Sequence, residues 1–219
     1  MDSNQPGSSR VTFGVLSLLA AVTLVAALTT QITDQVLNGA FAPEEYFSYF
    51  TIQTSLANLV ALVASGLYHF QSSIDTMKLA MVRHALFAYG IVTGTVYNLL
   101  LRGLPTEPGE FVSEFTFPNE VLHVVMPVFL ALEWLANPHR PKLPWWSIVV
   151  GIIYPVGWAV GAVVRGHYTG WYPYDFLDPR QPAGWEGVLL HIGGIAVVIV
   201  LFLAIAWGVN RLHSMILGR

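Results

Sequence analysis

Six long apolar runs, separated by short polar breaks, constrain this chain more than any other feature. A helix needs roughly 20 apolar residues to cross the ~30 Å hydrocarbon core of a bilayer. Runs at approximately 11–33, 46–70, 77–102, 118–136, 145–165 and 185–212 meet that requirement. Lipid offers no partner to a free backbone N–H or C=O, so such runs span as helices. Charge agrees: only 11% of the 219 residues are charged, where a soluble domain carries about 25%. The expected fold is all-α, a polytopic membrane protein of six transmembrane helices.

Breaks such as "QSSIDT" and "NPHRPKLP" are too short to hold a second domain. The expectation is therefore a flexible tail over 1–10 ("MDSNQPGSSR") and a single six-helix domain over 11–215. The first apolar run is longer than the h-region of a secretory signal, so it reads as a retained span. For orientation, an N-terminus inside puts Arg10, Lys78, Arg83, Arg140, Lys142, Arg211 and Arg219 on the cytoplasmic side. Only Arg102, Arg165 and Arg180 then fall outside, which favours N-in/C-in.

Several function classes drop out. There is no cysteine, hence no thiolate nucleophile, thiolate metal site or disulfide. No Lys/Arg cluster suits nucleic acid, and no glycine-rich loop suits a nucleotide phosphate. No cofactor is expected. Trp145, Trp146, Trp171, Tyr172 and Tyr174 suit interfacial anchoring, and "GWAVG" (157–161) suits helix packing. His69, His139 and His213 lie at run ends or in a break, where solvated side chains are expected. His84 lies deeper.

Polar residues inside the spans carry the functional signal, because each is costly in lipid. At 1.5 Å per residue, Thr51 and His123 both lie about 8 Å from the same face of the bilayer. His191 lies about 9 Å in, and Asn98 about 6 Å below Arg102. Thr51, Thr54, Ser55 and Asn58, at i, i+3, i+4 and i+7, line one stripe of the second span. Asn119, Glu120 and His123 share a face of the fourth; Arg165, His167 and Tyr168 close the fifth, and Glu186 and His191 open the sixth. The pattern predicts a polar pocket in the outer half of the bundle, above a hydrophobic floor.

A hydroxyl becomes a nucleophile when a base takes its proton, and His is the usual base near neutral pH. Thr51 and His123 form one such candidate pair, with Thr54 or Ser55 as the alternative hydroxyl. Glu120 is a candidate to hold the imidazole tautomer, and Asn98, Tyr168 or Arg165 to stabilise an oxyanion. The same residues admit a metal reading: Glu120 and His123 have the Glu-x-x-His spacing of carboxylate-bridged sites, with Glu186 and His191 to complete it.

Four segments, "YFTIQTSLANL", "VYNLLLRG", "PNEVLHVVMP" and "RGHYTGWYPYDFLDP", resemble a known family. It is that of the androgen-induced and androgen-dependent (TFPI-regulating) membrane proteins, six-helix hydrolases of fatty acid esters of hydroxy fatty acids. The resemblance is to a bacterial branch and runs over nearly all the apolar chain. It implies a Thr nucleophile at Thr51, in "YFT", and a His partner at His123, in "NEVLH". One departure is the four-residue step from His123 to Pro127, which differs slightly from the animal members. The implied partner is a membrane lipid or acyl-ester substrate, and the implied location the bacterial plasma membrane, with the pocket toward the outer leaflet.

Overall fold

The computed structural model describes residues 6–104 and 111–218. Its spans are α1 (Ser8–Leu37), α3 (Phe50–His69), α4 (Met77–Val96), α7 (Ser147–Thr169) and α8 (Gly184–Ile216), plus a composite fourth span. That span joins α5 (Phe117–Glu120), a π-turn (Val121–Val125) and α6 (Met126–Ala136). A second π-turn, Tyr97–Leu101, ends α4, and a one-turn helix α2 (Pro43–Tyr46) precedes α3. Among the described residues there are no strands, and six helices are long and apolar enough to cross a membrane.

Local chemistry sets these boundaries. Thr76 caps α4 by accepting the Leu79 N–H at 3.2 Å. Pro43 and Pro118 sit in first turns, where a missing N–H costs nothing. Gly170 ends α7 at φ +75°, a conformation that suits glycine. The expected second span began at 46, but Tyr46 belongs to α2 and the span begins at Phe50. The expected tail also shortens. Ser8–Arg10 are the first turn of α1, whereas residues 1–5 lie outside the described residues.

α4 is the most buried span and packs on α3, α6, α7 and α8, while α7 and α8 form the most open wall. α1 lies along α3 at a crossing of small residues. A Cβ on Gly14 or Gly66 would sit 3.1 Å from the other's carbonyl oxygen. Outward faces carry Leu19, Val22, Val60, Ile153, Leu190 and Val197, all exposed as lipid contacts require. The glycines of "GWAVG" pack against no other helix of the chain: a Cβ on Gly157 or Gly161 would meet nothing within 4 Å.

At the end of the bundle away from Thr51, ionic side chains are buried together. Asp75 pairs with Arg10, with Arg83 at 2.5 Å and with His69 Nε2 at 3.3 Å. Glu133 pairs with Arg83 and accepts from Asn137 Nδ2 at 2.6 Å. Arg140 lies 3.8 Å over the Trp134 ring and donates to the Trp134 carbonyl at 2.5 Å. Burial alone would raise the Asp75 pKa. The His69 hydrogen bond and the charges of Arg83 and Arg10 outweigh it and hold the carboxyl well below its usual range.

This cluster changes two expectations. His69 is 0% exposed, not solvated. Arg10, Arg83 and Arg140, three of the residues counted for orientation, are buried rather than free at an interface. His84 is also buried. Its Nε2 meets the Leu203 carbonyl at 2.9 Å and its ring tilts against Trp134, so it joins α4 to α8.

Candidate active site

Thr51 opens α3, and His123 occupies the middle of the π-turn in the fourth span. They meet: Thr51 Oγ1 lies 3.4 Å from His123 Nε2. That is long for a hydrogen bond, but such contacts tighten when substrate binds. The Nδ1 of His123 lies 3.0 Å from the Asn119 carbonyl oxygen. A carbonyl only accepts, so in the neutral ring Nδ1 carries the proton and Nε2 presents its lone pair to Thr51.

The local fold explains how His123 is held. Pro127, four residues on, has no N–H for the His123 carbonyl. Asn98 Nδ2 supplies the missing donor at 3.1 Å, and bonds the Gly94 carbonyl at 2.8 Å. Gly94 is needed for this approach, since a Cβ there would lie 2.9 Å from the His123 carbonyl oxygen. Tyr97 stacks on the His123 ring, with centroids 4.0 Å apart and planes at 22°. Asn119 Nδ2 bonds the Tyr97 hydroxyl. Two π-turns thus face each other across the imidazole, a feature often found at functional sites.

The third partner is Tyr174, whose hydroxyl lies 3.4 Å from Thr51 Oγ1. With Thr51 donating to His123, Tyr174 donates to Thr51. Burial pushes the Tyr174 phenol above its usual pKa, so it stays a neutral donor. Its ring stacks on Phe176 (5.1 Å, 6°) and meets Tyr49 edge-on at 5.6 Å. These rings roof a cavity of about 760 Å³, mouth included, between α3, α4, α7 and α8. Thr51, Thr93, Tyr97, His123 and Tyr174 give it polar groups, and most of the rest is apolar, including Val92, Ile152, Ile195 and Ile199.

Other candidates take different places. Thr54 Oγ1 bonds back to the Phe50 carbonyl at 2.8 Å, so it is not poised as a nucleophile. Ser55 is buried beyond the cavity wall. Glu120 pairs with Arg102 at 2.7 Å, both about 40% exposed, so the Asn119 carbonyl and not Glu120 sets the tautomer. Asn98 spends its amide on carbonyls and is a positioning group. Arg165 stacks over Trp171 at 4.6 Å. Tyr168 is 82% exposed beside exposed His167, so neither reaches the cavity. His191 bonds the Gly187 carbonyl at 2.8 Å and stacks on Phe176, one ring behind Tyr174.

The metal reading loses its ligands to these contacts. Glu120 is engaged by Arg102 and Glu186 is exposed. Among the described residues, no three of His, Asp and Glu gather as a metal site would require. Tyr97 carries no distinct signal in the sequence, and Tyr174 reads there only as an interfacial anchor. Pro127 was the readable signal for Asn98, because it orphans the carbonyl that Asn98 satisfies.

Compared with known proteins, the chain matches no protein-family model, no curated protein and no solved structure. The geometry of the site therefore carries the functional reading.

Proposed function

We propose that this protein is an intramembrane ester hydrolase acting on long-chain acyl esters, such as fatty acid esters of hydroxy fatty acids. The observation that carries the reading is a hydroxyl–imidazole pair of set tautomer, Thr51 and His123, at the head of a largely apolar cavity. The resemblance of four sequence segments to the Thr–His membrane hydrolases points to the same two residues.

The acyl chain lies along Val92, Ile152 and Ile195, with the ester beneath the aromatic roof. Thr51 Oγ1 attacks the carbonyl carbon while His123 Nε2 takes its proton. The Tyr174 hydroxyl turns from Thr51 to the oxyanion as negative charge develops. His123 then protonates the leaving alcohol, and water resolves the acyl-enzyme by the reverse sequence. Following the resemblance, we assign the protein to a bacterial plasma membrane, with the site toward the outer leaflet.

A fluorophosphonate probe tests the reading on purified protein in nanodiscs. The expected result is covalent labelling and acyl-ester turnover, both lost in Thr51→Ala. Full turnover in Thr51→Ala would overturn it. Binding of acyl esters with neither labelling nor turnover would leave a lipid-binding protein in its place.

A further inference from the structure

The polar stripe of α3 does not stop at the active site. Thr51, Thr54, Ser55, Asn58, Ser65 and His69 are all buried on one side of the helix and run toward the ionic cluster. Eighteen residues separate the first from the last, about 27 Å along the axis. Two of these hydroxyls are satisfied within the helix: Thr54 bonds the Phe50 carbonyl and Ser65 the Ala61 carbonyl at 2.6 Å. Ser55 and Asn58 are buried between them. Facing them from α4, the Thr93 hydroxyl is buried and without a hydrogen-bond partner.

Those three groups border one small cavity. Thr93 is common to it and to the active-site cavity. Asn58 and Leu130 are common to it and to a third small cavity, which reaches Ser65, Arg83 and Glu133. Each of the two smaller spaces has room for about one water molecule. Buried polar groups in folded proteins find partners, in protein or in ordered water. Here hydroxyl and amide groups converge on a space of that size, which meets the requirement for a bound water.

We propose that ordered water occupies both cavities, and that the water held by Ser55, Asn58 and Thr93 is the one that resolves the acyl-enzyme. This role rests on the hydrolase reading. While an acyl chain fills the apolar cavity it excludes water there, so the hydrolytic water comes from the polar side of α3. Its oxygen bonds to the acyl carbon and His123 Nε2 takes one of its protons. The bond from that carbon to Thr51 Oγ1 then breaks, and the proton passes from His123 to Thr51. The fatty acid leaves as the neutral acid, so atoms and charge balance. Thr93 is a positioning residue, since it acts through the water.

Radiolytic hydroxyl-radical footprinting of the full chain in nanodiscs tests the water without reference to activity. Met126 lines the Ser55–Asn58–Thr93 cavity and is only 6% exposed. Radicals form where water is, so the expected result is strong Met126 oxidation, comparable to that of half-exposed Met77. Asn58→Leu fills the space and is expected to cut Met126 labelling by about tenfold. Asn58→Ser keeps a polar group and leaves the labelling in place. A protected Met126 in the native protein overturns the proposal, whatever the variants do.

The kinetic arm uses Thr93→Val, which keeps the shape and removes the hydroxyl. The acylation burst is expected unchanged, with steady-state turnover down about tenfold, acyl-Thr51 visible by intact mass, and recovery on adding hydroxylamine. Unchanged turnover in Thr93→Val overturns the delivery role. A labelled Met126 in a protein that never forms an acyl-enzyme breaks the hydrolase reading and this role with it, yet leaves the bound water standing.

Discussion

The two ends of this bundle bury polar side chains to opposite effect. At the Asp75 end, carboxylates and guanidinium groups meet at short range, and the cavity bordered by Arg83 and Glu133 has room for about one water. At the Thr51 end, neutral groups meet at 3.4 Å beside a cavity of about 760 Å³. Ionic pairs that close on each other hold helices together, and removing one partner leaves an uncompensated charge. Neutral groups that stop short of each other, next to empty space, keep capacity for a substrate. Charge pairing and cavity, not the number of polar residues, separate scaffold from site.

Exchanging the roles of the two ends in experiment would break that comparison. The largest expected effect is on turnover. Thr51→Ala and His123→Ala should each lower kcat by about four orders of magnitude or more, with thermal midpoints in detergent unchanged. A drop in midpoint as large as that of an Asp75 variant would make the Thr51 end structural. Tyr174→Phe removes one oxyanion donor and should lower kcat about 10²-fold with little change in KM, measured by steady-state kinetics.

For the Asp75 end the expected effects are on stability. Asp75→Asn strands the charge of Arg10, leaves Arg83 with Glu133 as its one carboxylate partner, and should cost about 3–5 kcal/mol in reversible unfolding. It should leave the pH dependence of kcat untouched. The Asp75 pKa is depressed on folding, so its contribution is fully present above the unfolded value of about 4 and fades as pH falls below that. The native midpoint should therefore be flat from neutral pH down to about 5 and decline below about 4, and the Asp75→Asn midpoint should decline less. The smallest effect is expected from Glu120→Gln. Its partner Arg102 is exposed and the tautomer does not depend on it, so turnover should stay within about twofold.

Much of the Thr51 end was legible before the structure, for a simple reason. Rise per residue fixes depth along a span, so Thr51 and His123 could be matched without knowing which helices touch. The buried stripe Thr51, Thr54, Ser55 and Asn58 followed from helical periodicity in the same way. Depth says nothing about azimuth across helices. Arg165, His167 and Tyr168 share the right level and point elsewhere, whereas Tyr174 enters from a loop that no periodicity governs.

The Asp75 end was nearly illegible. Arg10, His69, Asp75 and Arg140 each sit at a helix end or in a break, where a solvated charge is the ordinary expectation. Their meaning lies only in convergence, with Arg83 supplied from within α4 and Glu133 from the last turn of α6. The π-turns were hidden for a related reason, since hydropathy does not register a change of one residue in helical phase.

That single residue of phase reaches further than the site itself. Each α-helical residue advances about 100° around the axis, and the π-turn at Val121–Val125 amounts to one residue inserted into the helix. Phe117–Glu120 and Met126–Ala136 are therefore rotated against each other by roughly that angle, within one continuous span. The span has two independent registers, one set by the imidazole and one by Glu133. Deleting a single residue from the π-turn would merge them and act as a frameshift in three dimensions. Glu133 would keep its partners while the face bearing His123 turned away from Thr51.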